Sequence, residues 1–300
     1  MAELGRLFTA MVTPFDQQGA VDYTQAGRLA RALVESGSDG VVVAGTTGES
    51  PTLTHSEKAR LFAEVRQALG GRGSVVAGAG TYSTQESIEL TREAQKAGAD
   101  AVLLVVPYYN KPTQEGLERH FRAIAESTSL PCILYNVPSR TITNLAAETT
   151  LRLSQVPNIV GIKEASADFD QIAKIVSGAR AGFRVWSGND SDTFALMCLG
   201  GYGVVSVASH LVGGQIKRMM EMVLVGKLEE AAREHRRLLP LFKGMFVLSN
   251  PIPVKYSVNI VGFNVGGLRL PLTMPDERTA SQLKELLAGY RVDLPVPAGR

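Results

Sequence analysis

Short apolar, β-branched runs recur along the chain, at 7–13, 40–45, 74–80, 101–107, 131–137, 159–165, 184–189 and 203–209. Between them lie stretches whose apolar residues return at three- and four-residue spacing, among them 56–69, 84–97, 114–127, 146–155, 168–179 and 191–199. The runs are apolar throughout, the pattern of strands covered on both faces. The stretches between carry one apolar stripe, as helices laid against a sheet do. Repeated strand–helix units of this kind predict an α/β fold, a closed (β/α)8 TIM barrel. An open doubly wound sheet is the rival. It would carry a glycine-rich phosphate loop after the first strand, and Thr13-Pro-Phe-Asp16 is not one. Gly78-Ala-Gly80 is too short to serve, and the glycines at 70, 71 and 73 read as a helix stop and turn.

After the eighth unit the pattern changes. Residues 212–225, 227–247 and 274–289 read as helices, which predicts a barrel core over 1–215 and a C-terminal helical extension over 216–300, frayed at 296–300. The prolines of Asn250-Pro-Ile-Pro-Val-Lys255 are expected to fix an extended turn between helices.

Composition narrows the function. The net charge is +2, with no basic run and no aromatic residues interleaved with basic ones, so nucleic acid is not an expected partner. No stretch approaches the ~18 apolar residues of a membrane span. The first six residues lack the regions of a signal peptide, and a cytoplasmic location is expected. The two cysteines, Cys132 and Cys198, sit in apolar surroundings and read as reduced core thiols. The four histidines are scattered without metal-ligand spacing, so no metal is expected; no organic cofactor is expected either.

One residue breaks the strand pattern. Lys163 carries an ammonium group into an otherwise apolar run near its carboxyl end. Burying that charge is costly unless it is paired or loses its proton, and desolvation favours the neutral amine, a nucleophile able to form an imine with a carbonyl substrate. The alternative is a strand-end lysine paired with Glu164 or snorkelling to water. Barrel enzymes place reactive groups at the carboxyl ends of strands, and those positions hold a suggestive set. The second run ends in Gly45-Thr-Thr-Gly-Glu-Ser50, a turn able to cradle a carboxylate. The fourth ends in Pro107-Tyr-Tyr-Asn110 and the fifth in Tyr135-Asn-Val-Pro-Ser-Arg140. Tyrosine and threonine hydroxyls in a chain can pass protons, and an arginine fork suits a second carboxylate.

With GTTGES at 45–50, PYYN at 107–110, YNVPSRT at 135–141 and GIKEA at 161–165, the chain resembles the dihydrodipicolinate synthase branch of the pyruvate-dependent class I aldolases along essentially its whole length. The doubled threonine and Arg140 favour this branch over the sialic acid and keto-deoxy sugar acid lyases, the runner-up reading. The resemblance implies condensation of pyruvate with aspartate semialdehyde, in lysine and diaminopimelate biosynthesis. Lys163 would form the imine, and Thr47 would hold the pyruvate carboxylate. Tyr135, Thr46 and Tyr109 would relay protons, Tyr109 reaching in from a neighbouring subunit of a homotetramer built from two tight dimers. Arg140 would bind the carboxylate of the aldehyde, and Gly188 and Val205 would line the pocket. A catalytically silent pyruvate-binding scaffold would have lost Lys163 or Tyr135, and both are present.

The family's feedback site for lysine corresponds here to Ser50, His55, Lys58, Tyr82, Glu86 and Tyr108. Lys58 stands where the resemblance leads one to expect histidine, and Tyr82 where it leads one to expect asparagine. A second ammonium beside a cationic effector repels it, so inhibition by L-lysine is expected to be weak or absent. Asn189-Asp-Ser-Asp192 reads as capping and first-turn charge, Met219, Met220 and Met222 as a packing face, and His235-Arg-Arg237 as a solvated helix face.

Overall fold

The computed structural model describes residues 4–296. The predicted runs form eight parallel strands: β1 (Leu7–Ala10), β2 (Gly40–Val43), β3 (Ser74–Gly78), β4 (Ala101–Val105), β5 (Cys132–Asn136), β6 (Ile159–Glu164), β7 (Arg184–Ser187) and β8 (Gly203–Ser206). They close in sequence order into a barrel, with β8 pairing β1 so that Val205 faces Phe8. Each strand stops short of the carboxyl end of its apolar run, and the leftover residues become the loops of that face.

The first nine helices are α1 (Tyr23–Glu35), α2 (His55–Leu69), α3 (Thr84–Lys96), α4 (Gln114–Glu126), α5 (Pro138–Thr141), α6 (Ala147–Leu153), α7 (Phe169–Gly178), α8 (Thr193–Cys198) and α9 (Ser209–Leu224). Side-chain caps fix several starts: Asp22, Ser83, Thr113 and Asp168 each accept a backbone N–H from the first turn, and Thr54 forms a capping box with Glu57. Gly70 ends α2 in the left-handed conformation, as its sequence predicts. Among the described residues, no helix is long and apolar enough to cross a membrane.

The strands are apolar throughout because both faces are packed. Leu7, Val41, Val75, Val102, Leu134, Ile162 and Val204 point outward into the core shared with the helices. Their neighbours Phe8, Val42, Val76, Leu103, Ile133, Tyr135, Trp186 and Val205 fill the barrel interior. Trp186 closes the floor. Its indole packs where Gly161 leaves room, a Cβ there lying only 2.6 Å from Cζ3, and its Nε1 donates to the Gly5 carbonyl at 3.0 Å.

Beyond the barrel lie α10 (Leu228–Gly244), α11 (Ile252–Ile260) and α12 (Glu277–Ala288). The expected division at 215/216 falls inside α9, which bends at Val212 and packs against β1 and α1. Residues 252–255 are the first turn of α11 and not an extended turn. Pro253 fits there because the first turn of a helix needs no N–H donor. Cys132 is buried, whereas Cys198, expected in the core, is exposed. Met219 and Met220 are buried as the packing face of α9. His235 departs from a solvated face: its ring stacks on Phe194 and tilts against Phe242.

His210, fully buried at the start of α9, ties two loops of the carboxyl face together. The Val12 N–H donates to Nε2 at 3.1 Å, so the ring proton sits on Nδ1 and is donated to the Val207 carbonyl at 2.8 Å. A second proton would oppose the Val12 N–H, and burial pulls the ring down to about 4 from 6.5. Between those values the unfolded chain binds the extra proton, so this contribution is complete above pH 6.5 and lost as pH falls toward 4, by roughly 3 kcal/mol. Urea denaturation should therefore show a stability gap between the wild type and His210→Gln at pH 7 that narrows markedly at pH 4.5; an equal gap at both would contradict this role.

Candidate active site at the carboxyl ends of the strands

Strand alternation decides what the two charges at the end of β6 do. Lys163 points into the barrel and Glu164 points out. Glu164 is buried among polar partners: its carboxylate accepts from Asn136 Nδ2 at 3.0 Å, Gln171 Nε2 at 3.2 Å and the Ser166 N–H at 2.8 Å. Burial pushes its carboxyl up, against those hydrogen bonds. Glu164 therefore does not neutralise Lys163.

Lys163 is 5% exposed and, among the described residues, has neither ion pair nor hydrogen bond. Its register neighbours are Tyr135 on β5 and Trp186 on β7, and its Nζ lies 4.1 Å from the centre of the Tyr135 ring. That is a cation–π contact when the amine is protonated. Space beside it is kept by Gly188, where a Cβ would lie 3.2 Å from Lys163 Cε and 2.6 Å from Ala165 Cβ. Val205 packs in the same inner cluster as Tyr135. A cavity of about 220 Å³ opens beside Tyr135, lined by Thr46, Ser50, Tyr108, Tyr135, Arg140 and the glycines 45, 78 and 80, among others, while Lys163, Thr47, Gly188 and Val205 are not among its lining residues. Gly78 and Gly80 allow close backbone approach in that wall, since a Cβ at either would strike a neighbouring main chain within 2.4 Å.

The turn after β2 is held in a demanding conformation. Ala44 and Glu49 both have positive φ, 53° and 55°. All six non-glycine residues with positive φ among those described, Ala44, Glu49, Tyr109, Lys111, Ile142 and Ala167, lie in loops that follow strands on this face. Strain of this kind persists only where surrounding contacts enforce it. Here Thr13 Oγ1 donates to the Gly48 carbonyl at 2.6 Å, and Asn250 Nδ2 donates to Thr47 Oγ1 at 2.9 Å. Glu49 turns away from the cavity into a fully buried ion pair with Lys255 at 2.7 Å, and also accepts the Arg269 N–H at 3.0 Å. Among the described residues, the N–H groups of Thr46 and Thr47 donate to no acceptor. Two free N–H groups beside a threonine hydroxyl form a cradle for an anion.

The structure gathers Thr46, Thr47, Tyr135, Arg140, Lys163, Gly188 and Val205 around the carboxyl end of the barrel. Arg140, on the four-residue α5, is exposed and donates through Nη2 to the Asn250 carbonyl at 3.2 Å. Tyr109 is not brought in: it is 93% exposed at φ 77° and makes no contact with Tyr135 or Thr46. Of the residues matched to a regulatory site, Tyr82 and Tyr108 stack edge to face with ring centres 5.2 Å apart. Lys58 is 6% exposed near Glu86; burial lowers its ammonium pKa and Glu86 raises it. Burial, then Glu86, pushes the Tyr108 hydroxyl up. Ser50 lines the cavity beside Tyr135, whereas His55 is exposed in a separate cleft between α2 and α3, with Glu89 and Arg92.

Sequence reasoning missed three groups. Asp190 reads in the sequence as a helix-capping charge, yet it is fully buried and accepts from the Ser206 hydroxyl and, at 3.0 Å each, from the Val207 and Ala208 N–H groups, fixing the loop after β8. Burial pushes its carboxyl up against those hydrogen bonds. Glu49 lies in the turn itself, but Asn250 is 201 residues further on and no local pattern links it to the turn.

Comparison with known proteins shows the family. The model of the dihydrodipicolinate synthetase family matches residues 3–289. The chain belongs to the dihydrodipicolinate synthetase family. It is 62% identical over 296 residues to 4-hydroxy-tetrahydrodipicolinate synthase of Dehalococcoides mccartyi strain CBDB1, covering 99% of this chain and 100% of that one. Its identity to the synthase of Symbiobacterium thermophilum is 56%, covering 96% of this chain and 98% of that one. Among solved structures in the family, the enzyme of Cyanidioschyzon merolae with lysine bound superposes with a TM-score of 0.94 at 48% identity, covering 95% and 98% of the two chains.

Proposed function

We propose that the chain is a 4-hydroxy-tetrahydrodipicolinate synthase, a lyase of lysine and diaminopimelate biosynthesis that condenses pyruvate with L-aspartate 4-semialdehyde through an imine on Lys163. The observation that carries the assignment of Lys163 is its place in the fold: a buried lysine inside the barrel at the carboxyl end of β6, over a tyrosine that lines the cavity, and without an ion pair among the described residues. A neutral amine there adds to the keto carbon of pyruvate, and loss of water gives the imine. The protonated imine then acts as an electron sink, so removal of a C3 proton leaves an enamine. The enamine attacks the aldehyde carbon, the aldehyde oxygen takes up a proton, and the imine is restored. The amine of the second substrate then adds to the imine carbon, closes the ring and expels Lys163 as the free amine.

Two anionic substrates require two anion sites. Thr47 and the free N–H groups of its turn suit the pyruvate carboxylate, and the exposed guanidinium of Arg140 suits the incoming aldehyde acid. Tyr135, over Lys163, serves proton transfer together with Thr46. Tyr109 completes that relay only across a subunit contact, which its exposure supports, in a tetramer of two tight dimers. Steady-state turnover with both substrates, coupled to dihydrodipicolinate reductase and followed by NADPH oxidation, should require pyruvate and aspartate semialdehyde together. Folded protein without turnover would contradict the assignment.

Of the residues matched to the lysine site, Lys58 adds a second, buried amine and Tyr82 packs its ring against Tyr108. Inhibition by L-lysine in the same assay should be weak or absent, and half-inhibition at sub-millimolar lysine would contradict this reading.

A further inference from the structure

Asn250 touches both proposed anion sites at once. Its carboxamide donates to Thr47 Oγ1 at 2.9 Å, and its main-chain carbonyl accepts from Arg140 Nη2 at 3.2 Å. The residue is 6% exposed, and among the described residues its Oδ1 has no hydrogen-bond partner, so Asn250 is engaged there through its donor end. The consequence lies at Thr47. A hydroxyl has one proton to give and lone pairs to receive. With the Asn250 amide donating into Oγ1, the Thr47 proton is released from that contact, and among the described residues it is given to no other acceptor.

We propose that Asn250 is a positioning residue that sets the polarity of the Thr47 hydroxyl, making it a donor toward the ketoacid carboxylate. The proposal rests on the reading of Thr47 as the pyruvate carboxylate site. An amide turned the other way would take the Thr47 proton for itself, and the hydroxyl would then present lone pairs to an anion. The same dependence makes aspartate at this position harmful: it keeps the shape of asparagine but only accepts.

The test is a comparison of kinetic constants for Thr47→Val, Asn250→Ala, Asn250→Asp and the Thr47→Val/Asn250→Ala double variant in the full-length enzyme. Loss of one hydrogen bond to an ionised group should raise the pyruvate KM about tenfold in Asn250→Ala. Asn250→Asp should raise it further, although the side chain is isosteric. In the Thr47→Val background, Asn250→Ala should change the pyruvate KM by less than about twofold, because the hydroxyl it acts through is gone. The KM for aspartate semialdehyde should stay near wild type throughout, since the contact to Arg140 is made by the main chain. A packing role gives the opposite order, with aspartate milder than alanine and the effects of the two sites multiplying. That order, or an unchanged pyruvate KM in both Asn250 variants while Thr47→Val raises it, overturns the proposal and leaves the Thr47 assignment intact. An unchanged pyruvate KM in Thr47→Val removes the Thr47 assignment and this proposal with it. Should Asn250→Ala not fold, Asn250→Asp alone and in the Thr47→Val background gives the same discrimination.

Discussion

The ion pair between Glu49 and Lys255 holds the reactive end of the barrel in shape. Both side chains are withdrawn from water, with Nζ and Oε1 2.7 Å apart. Glu49 sits at the end of the turn that carries Thr46 and Thr47, in a left-handed conformation that a non-glycine residue adopts only under constraint. Lys255 sits on α11, outside the barrel, and also lies 3.9 Å from the centre of the Phe15 ring. Removing one partner of such a pair strands the other charge and costs about 3–5 kcal/mol. The C-terminal helices are thereby bound to the site. Arg269 extends the tie: its N–H reaches Glu49, and its guanidinium binds Glu57, holding that carboxyl at about 2.

Among the described residues three lysines are buried, Lys58, Lys163 and Lys255, and the last two are opposite in circumstance. Lys255 has a carboxylate; burial pulls its ammonium down to about 8, against Glu49. Its lone pair is unavailable while that bond persists. Among the described residues Lys163 has no ion pair and lies against the Tyr135 ring, because strand alternation sends its sequence neighbour Glu164 to the outer face and into bonds with Asn136, Gln171 and Ser166. A nucleophile needs burial without a carboxylate partner, and strand alternation provides that inside the barrel at Lys163.

The barrel was legible in the sequence because strands packed on both faces leave an unbroken apolar signature, and the lone charge of Lys163 stands out against it. Helix boundaries fell within a few residues where a side-chain cap marks them, as at Thr54, Ser83 and Thr113. What was not legible is whatever depends on distant segments meeting. Asn250-Pro-Ile-Pro reads as an extended turn because prolines are read as helix stops, yet Pro253 lies in the first turn of α11, where its missing N–H is no loss. The Asp190 carboxylate looks like a local cap until the fold brings the 206–208 loop onto it. Tyr109 shows the converse: its residue type was found, but a side chain 93% exposed completes nothing within one chain.

The central claim is that Lys163, and not the equally buried Lys255, forms the covalent bond to pyruvate. Borohydride reduction of the enzyme in pyruvate, followed by peptide mapping by mass spectrometry, tests it directly. The reduced adduct should lie on the peptide containing Lys163, and Lys255 should remain unmodified. An adduct on Lys255, or on no lysine of an enzyme that turns over, would contradict the account.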